Sequence, residues 1–103
     1  MAESIAKFVQ SAEVKHAQSV MRAIAHPLRL RIVEFIHRNG NINVNRIYGE
    51  LKLEQSIASQ HLRILRDADL VTTRRDGKFI YYSLNYPKIE KVTAAVKRFF
   101  TAN

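Results

Sequence analysis

Apolar residues recur along most of the chain at the three- and four-residue intervals of amphipathic helices. Over residues 4–25 this spacing predicts either one long helix or two consecutive helices. Pro27 ends that segment and suits the first turn of the next helix, which Asn39 and Gly40 bring to a stop. That next helix carries a broad apolar stripe, so we expect it to be buried on several sides.

Two short helices follow, joined by a turn that interrupts the apolar period. Four apolar residues from Val44 to Leu51 fall at i, i+3, i+4 and i+7, which predicts a helix with one buried face. Asn43 is placed to cap it. Two short helices joined by such a turn form a helix-turn-helix. In the second of them, the residues expected to point inward are Ile57, Ala58, Leu62 and Leu65.

The outward face of the second short helix is polar and contains the main candidates for DNA contact. These are Gln55, Ser56, Ser59, Gln60 and Arg63. Each can hydrogen-bond base edges or phosphates, and a cluster near the helix N-terminus is what entry into the major groove requires. The backbone N–H groups at that end also favour phosphate. The alternative is an ordinary polar surface, since exposed helix faces are polar in general.

β-Branched and aromatic residues over positions 71–84 predict a two-stranded hairpin. Asp76 and Gly77 supply the turn, because Asp-Gly between two such runs is a strong hairpin signal. Alternation then points one set of second-strand residues toward the core, namely Ile80, Tyr82 and Leu84.

Three cations crowd the tip of the predicted hairpin: Arg74, Arg75 and Lys78. Beside a helix-turn-helix, such a tip acts as a wing that contacts phosphates or the minor groove. The alternative is that these charges only keep an edge ribbon from aggregating.

A last amphipathic helix is predicted after Pro87, with an apolar face that ends in two aromatic residues. Together with the apolar face of the N-terminal segment, it predicts the interface of a two-fold homodimer. The expected interface residues are Ile5, Phe8, Val9, Ile89, Val92, Val96 and Phe99. A role for these residues in the core of a single chain stays open as the alternative.

Composition narrows the classes of partner. The 103 residues fit one domain, and their formal net charge of +8 favours a polyanionic partner, with solubility alone as the plainer explanation. The absence of cysteine excludes disulfides and thiolate metal sites. We find no signal peptide and no apolar run near the ~20 residues that span a bilayer, so we expect a soluble, cytoplasmic protein without a membrane partner.

Neither catalysis nor cofactor chemistry is recognisable in the sequence. It shows no Ser-His-Asp arrangement, paired carboxylates or glycine-rich phosphate loop, so we expect no enzyme and no cofactor. The four histidines lack the spacing that puts two metal ligands on one helix face, so no metal site is expected. We expect His26 to start a helix, His37 to face solvent or cap a helix end, and His61 to lie near DNA phosphates.

Two segments resemble those of a known family. Residues 23–32, AIAHPLRLRI, resemble the motif that begins a helix in ArsR/SmtB-type winged helix-turn-helix regulators. Residues 55–66, QSIASQHLRILR, followed by ADLV at 68–71, are similar to the recognition helix of that family and its exit. The resemblance covers most of the chain, from about Val20 to Phe100.

The resemblance implies a homodimeric bacterial or archaeal transcription factor, usually a repressor, whose two wings flank a palindromic operator. It marks Gln55, Ser56, Ser59 and Gln60 as the best candidates for base contact, with His61 and Arg63 next.

Several positions depart from the family pattern. Lys52 stands where relatives often have glycine in the turn, and a left-handed conformation there would cost on the order of 1 kcal/mol. Tyr48 stands where a small residue commonly lets the two helices approach. Family-type metal sensing is expected to be absent or moved, and cysteine-based redox sensing is excluded. The residues at the two family metal positions are Asn43 and Asn45 at one, and approximately Tyr86, Lys88, Phe99 and Ala102 at the other.

The sequence therefore predicts a mainly α-helical protein with a small β-hairpin. The expected fold is a winged helix-turn-helix of order α-α-α-α-β-β-α, with residues 1–103 as one domain and dimerisation helices at both ends. We expect a sequence-specific repressor that binds double-stranded DNA as a homodimer, with an unidentified small molecule or protein as its possible effector. The alternatives are a winged-helix module that binds RNA or a protein, and a non-specific nucleoid DNA binder.

Overall fold

The computed structural model describes residues 2–101, with the side chains of residues 95, 96 and 98–101 outside the description. This part of the chain has the predicted order of elements with one added helix near the N-terminus and one added strand. The elements are α1 (Ala2–Gln10), α2 (Ala12–Ile24), α3 (Pro27–Asn39), β1 (Ile42–Asn43), α4 (Val44–Glu50), α5 (Gln55–Asp67), β2 (Val71–Asp76), β3 (Phe79–Leu84) and α6 (Tyr86–Thr101). No helix in the described part combines the length and apolarity needed to cross a membrane.

Ser11 divides the N-terminal segment into two consecutive helices. Its backbone is extended and its hydroxyl accepts a hydrogen bond from the N–H of Val14 at 3.2 Å, which caps α2. The second of the two predicted alternatives for residues 4–25 is therefore the observed one. All of α1 lies exposed, whereas α2 buries Val20 and Ala23.

The boundaries of α3 follow the predicted signals. Pro27 is its first residue, and His26 caps it by accepting a hydrogen bond at Nδ1 from the N–H of Leu28, at 3.1 Å. At the other end Gly40 has a φ of +76° and donates its N–H to the carbonyl of Ile36 at 2.8 Å. The expected role of His26 at a helix start is confirmed.

The hairpin belongs to a three-stranded antiparallel sheet of order β1-β3-β2. Strand β1 has only two residues, too few to show a periodicity, and was not predicted. The pairing of Asp76 with Phe79 leaves Gly77 and Lys78 as the turn. The predicted turn, Asp76 with Gly77, was therefore wrong by one residue, although Gly77 does supply the positive φ, at +63°.

The core lies where α3, α4, α5 and the sheet meet, and α6 covers part of it. Its completely enclosed side chains are Ile32, Ile36, Ile42, Ile47, Leu62, Leu65 and Val71. Val92 of α6 is buried in this core and Ile89 packs against it. For these two residues the structure shows the intramolecular role that the sequence left as an alternative. The side chains of Val96 and Phe99, the other predicted interface residues of α6, lie outside the described residues.

One core residue was predicted wrongly. Ile57 was expected to point inward, but 43% of it is exposed. The buried seam of α5 consists of Ala58, Leu62 and Leu65, at i, i+4 and i+7. Ile57 precedes Ala58 by one residue and is turned away from the seam, because each residue advances a helix by about 100°.

Candidate nucleic-acid interface

The turn between α4 and α5 sets how the second helix of the helix-turn-helix leaves the first. Lys52 lies in the left-handed region with a φ of +53°, the conformation that costs a non-glycine residue on the order of 1 kcal/mol. The N–H of Leu53 donates to the carbonyl of Tyr48 at 2.9 Å, and the side chains of both residues pack against the core. The predicted cap of α4 is also present, because Asn43 Oδ1 accepts a hydrogen bond from the N–H of Asn45 at 2.9 Å.

Three of the predicted contact residues lie on the side of α5 opposite its buried seam. Helical geometry places Ser56, Gln60 and Arg63 farthest from Ala58 and Leu62, and all three are exposed. The Ser56 hydroxyl is 3.5 Å from a carboxylate oxygen of Glu54, so this serine is held only weakly. The outward ridge, defined as Ser56, Gln60 and Arg63, therefore offers a hydroxyl, an amide and a guanidinium in one line.

Gln55 and Ser59 lie on the flank of α5 that faces α4. Both are exposed, and the Ser59 hydroxyl lies 3.2 Å from the phenol oxygen of Tyr48. The large residue at position 48 therefore does not disrupt the helix-turn-helix. Instead, its hydroxyl holds one of the predicted contact residues beside the outward ridge.

His61 occupies the opposite flank, which faces α3. Its Nδ1 lies 3.3 Å from Arg29 Nη1, and its ring centroid is 4.7 Å from that of His26. Burial lowers the pKa of His61, and the nearby His26 and Arg29 lower it further. The structure thus separates His61 from the other five predicted contact residues of α5. Sequence analysis did not single out Arg29, because the contact joins residues 32 positions apart.

The three wing cations are all exposed, and two of them lie beside aromatic rings. The Arg74 guanidinium is 5.2 Å from the centroid of Tyr81, and Lys78 Nζ is 5.6 Å from that of Phe79. Such contacts orient the long side chains while their charged ends remain accessible to a partner.

Arg74 and Arg75 project from opposite faces of the wing, because successive strand residues alternate. Arg75 pairs with Ile80 and so shares a face with Tyr82, two residues farther along β3. Burial and the neighbouring Tyr48 raise the pKa of Tyr82, and Arg66 offsets part of that rise. Tyr82 packs against the core, so Arg75 lies on the face of the wing that adjoins the helix-turn-helix.

Arg66 is a candidate that sequence analysis missed. It is exposed on α5, one turn beyond Arg63, and lies near enough to Tyr82 to influence its pKa. It provides positive charge between the outward ridge and the wing. The signal that could have found it is the three-residue spacing from Arg63, which places both arginines on neighbouring parts of the helix surface.

The residues at the family metal positions make other contacts. Tyr86 bonds through its hydroxyl to His37 Nδ1 at 2.7 Å, and Lys88 pairs with Asp69 at 3.6 Å. Phe99 and Ala102 lie outside the described side chains. Among the described residues, no group of three or more metal-binding side chains comes together.

Comparisons with known proteins agree with this geometry. The family model described as bacterial regulatory protein, arsR family, matches residues 26–73, which include α3, α4, α5 and the start of β2. The chain is 41% identical over 73 residues to the transcriptional repressor PagR of Bacillus anthracis, covering 71% of this chain and 73% of PagR. It is 34% identical over 67 residues to the transcriptional repressor SdpR of Bacillus subtilis, covering 65% of this chain and 73% of SdpR.

The fold is likewise similar to a solved structure. NolR from Sinorhizobium fredii superimposes with a TM-score of 0.68 at 34% sequence identity, covering 85% of this chain and 87% of NolR.

Replacing Lys52 with glycine tests the strain in the turn that positions α5. Because glycine adopts a positive φ without steric cost, Lys52→Gly is expected to raise the free energy of unfolding by about 1 kcal/mol in urea titrations. The matched control is Lys15→Gly within α2, where glycine weakens a helix by about 1 kcal/mol. A stability loss of similar size in both variants would contradict the strained turn.

Proposed function

The chain belongs to the ArsR family of DNA-binding transcriptional regulators, and we propose that it represses transcription as a homodimer on a palindromic operator. The observation that carries the proposal is the outward ridge of α5, displayed on a helix whose opposite side is buried. Related proteins are named as repressors, which supports the direction of regulation.

Base recognition is assigned to the N-terminal part of α5. Gln60 can form paired hydrogen bonds with adenine, and Arg63 can do so with guanine, in the major groove. Ser56 and Ser59 can reach either base edges or phosphates. The exposed ends of these side chains supply hydrogen-bond donors and acceptors along one side of the helix. The base edges in the major groove present a sequence-dependent pattern of donors and acceptors that such a helix side can match.

Phosphate neutralisation is assigned to the wing and the arginine next to it. Arg75 and Lys78 lie at the tip, Arg74 lies on the opposite wing face, and Arg66 is exposed on α5 one turn beyond Arg63. The formal net charge of +8 supports a sequence-independent attraction to the DNA backbone. Affinity then depends strongly on salt, whereas selectivity depends on the ridge.

The homodimer is assigned first to the apolar face of α1. Ile5 and Val9 are each 57% exposed, and Phe8 between them is 47% exposed. These spacings place the three side chains on one side of a helix that buries none of its residues. A two-fold dimer through this face would pair two ridges for half-sites roughly 34–36 Å apart. Ile89 and Val92 support the dimer only indirectly, because they hold α6 on the core of each chain.

Selection from genomic fragments, followed by sequencing, tests specific binding. The proposal predicts an inverted repeat among the recovered fragments. Fragments without a shared motif, bound with a steep salt dependence, would indicate a non-specific nucleoid protein instead. Failure to bind any DNA would favour an RNA- or protein-binding module.

Two alanine variants separate the ridge from the wing. Gln60→Ala is expected to lower the preference for the recovered repeat over random DNA by about 1–3 kcal/mol. Arg75→Ala is expected to weaken binding to the repeat and to random DNA by a similar factor. It should also reduce the slope of log K against log salt by about 0.9. Fluorescence anisotropy over a salt series measures both effects. If Arg75→Ala instead lowered the preference for the repeat, and Gln60→Ala weakened binding to both DNAs equally, the assigned roles would be exchanged.

A charge on α1 tests the proposed dimer. Ile5→Lys should lose roughly 1.5–3 kcal/mol of apolar burial at the interface, which raises the dimer dissociation constant about tenfold or more. Gln10→Lys, on the other side of α1, serves as the matched control and should dissociate like the unmodified protein. Sedimentation equilibrium measures the dimer dissociation constant of the unmodified protein and of both variants. An unmodified chain that stays monomeric, or an Ile5→Lys protein with unchanged dimerisation, would contradict the assignment.

A further inference from the structure

A polar cluster joins α5 to α3 on the flank away from the wing. It consists of His26, which caps α3, Arg29 of α3 and His61 of α5, and it is henceforth called the imidazole cluster. The guanidinium of Arg29 also donates from Nε to the carbonyl of Ala23, and from Nη2 to the carbonyl of Arg22 at 3.3 Å. Arg29 is thereby fixed to the end of α2, and its remaining nitrogen reaches the recognition helix.

The contact between Arg29 and His61 requires a particular protonation state. A guanidinium has only donors, so the Nδ1 of His61 must accept with its lone pair. The proton of that ring is then on Nε2 and the ring is uncharged. A proton added at Nδ1 would remove the hydrogen bond and place a second positive charge 3.3 Å from Arg29 Nη1.

His26 fixes the other side of the cluster. Its Nδ1 accepts the hydrogen bond from the N–H of Leu28 that caps α3. Its ring centroid lies 4.7 Å from that of His61, so a charge on His61 would lie directly beside this ring.

The groups around His61 come from two elements. His26, the cap of α3, and Arg29 in the first turn of α3 are the groups whose charges act on His61. Helix α2 also packs on α5: its carbonyls at Arg22 and Ala23 accept from Arg29, and the Arg22 side chain lines a surface depression with Ile64 and Asp67. Burial, His26 and Arg29 all lower the pKa of His61, in that order of importance.

We propose that Arg29 and His61 are positioning residues for operator binding, and that they hold α5 in place only while the His61 ring is uncharged. Mild acid then weakens operator binding. The inference rests on the proposed function, because it concerns the orientation of the same outward ridge. It also changes the role of His61, which supports the ridge from the flank rather than contacting phosphate.

The direction of the pH effect distinguishes this role from phosphate contact. A histidine whose pKa is lowered by folding contributes stability that is present above its unfolded pKa of about 6.5 and is lost as the pH falls through its folded pKa. Protonation elsewhere on the surface adds positive charge, which by itself strengthens DNA binding. A phosphate contact by His61 would likewise strengthen with acid. The two roles therefore predict opposite signs.

The test measures affinity for the recovered operator fragment by fluorescence anisotropy from pH 7.5 to pH 5.5 at constant ionic strength. For the unmodified protein we expect the dissociation constant to rise severalfold across this range, because a protonated His61 no longer accepts the hydrogen bond from Arg29. Circular dichroism at each pH verifies that the protein remains folded.

His61→Asn is the decisive variant. Its amide oxygen can accept from Arg29 near the position of Nδ1 but cannot be protonated, so the ratio of the dissociation constants at pH 5.5 and pH 7.5 should no longer show the acid weakening. His37→Asn is the matched control, since His37 is an exposed histidine of α3 outside the cluster and should leave the acid weakening unchanged.

The outcomes are separable. A protein that binds no fragment at pH 7.5 would overturn the proposed function, and this inference with it. Binding that is strong at pH 7.5 and stays constant or strengthens at pH 5.5 would overturn the inference alone, as would a His61→Asn protein that keeps the acid weakening.

If the His61→Asn variant does not fold, NMR titration of the unmodified protein tests the inference instead. A His61 midpoint below about 6.5, with coupled amide shifts along α5, supports the inference, and a midpoint at or above it overturns the inference.

Discussion

Burial of one side of α5 determines how the helix-turn-helix displays its polar face. Ala58, Leu62 and Leu65 are at most 1% exposed, and they lie at the spacing that forms a single seam along the helix. Each buried leucine is worth about 1.5–3 kcal/mol, which is as large as the discrimination expected from a good base contact. Because the geometry of a helix is rigid, burial of this seam determines which side chains must face solvent.

Two polar contacts supplement the seam by holding the flanks of α5. Tyr48 meets Ser59 on the side of α4, and Arg29 meets His61 on the side of α3. The seam fixes the rotation of the helix about its own axis, whereas the flank contacts resist tilting toward either neighbour. The outward ridge can therefore be presented in one orientation, as selective hydrogen bonding to base edges requires.

Local patterns predicted the elements well, and long-range contacts account for what they missed. The cap by Asn43, the start at Pro27 and the seam residues Leu62 and Leu65 follow from spacing and from the chemistry of helix ends. Strand β1 exists because Ile42 pairs with Tyr82, forty positions away, and no local pattern reports such a pairing. The exposure of Ile57 was missed because an apolar residue beside a seam looks the same in sequence as one within it.

The candidate site likewise contains residues that local patterns predicted and contacts that they could not predict. The polar residues of α5 and the wing cations could be named from sequence because their residue types and positions suit DNA. The sequence could not predict that His61 is separated from the ridge, or that the charge of Arg66 acts on Tyr82. Each depends on which element packs on which flank of α5.

If the buried seam turns the ridge of α5 toward DNA, the NMR amide shifts of that ridge must change when the recovered operator fragment is added to the protein. We expect the largest changes within residues 55–63 and 74–78, with smaller changes along α3. Changes concentrated on α1 or α6, with α5 unaffected, would contradict it.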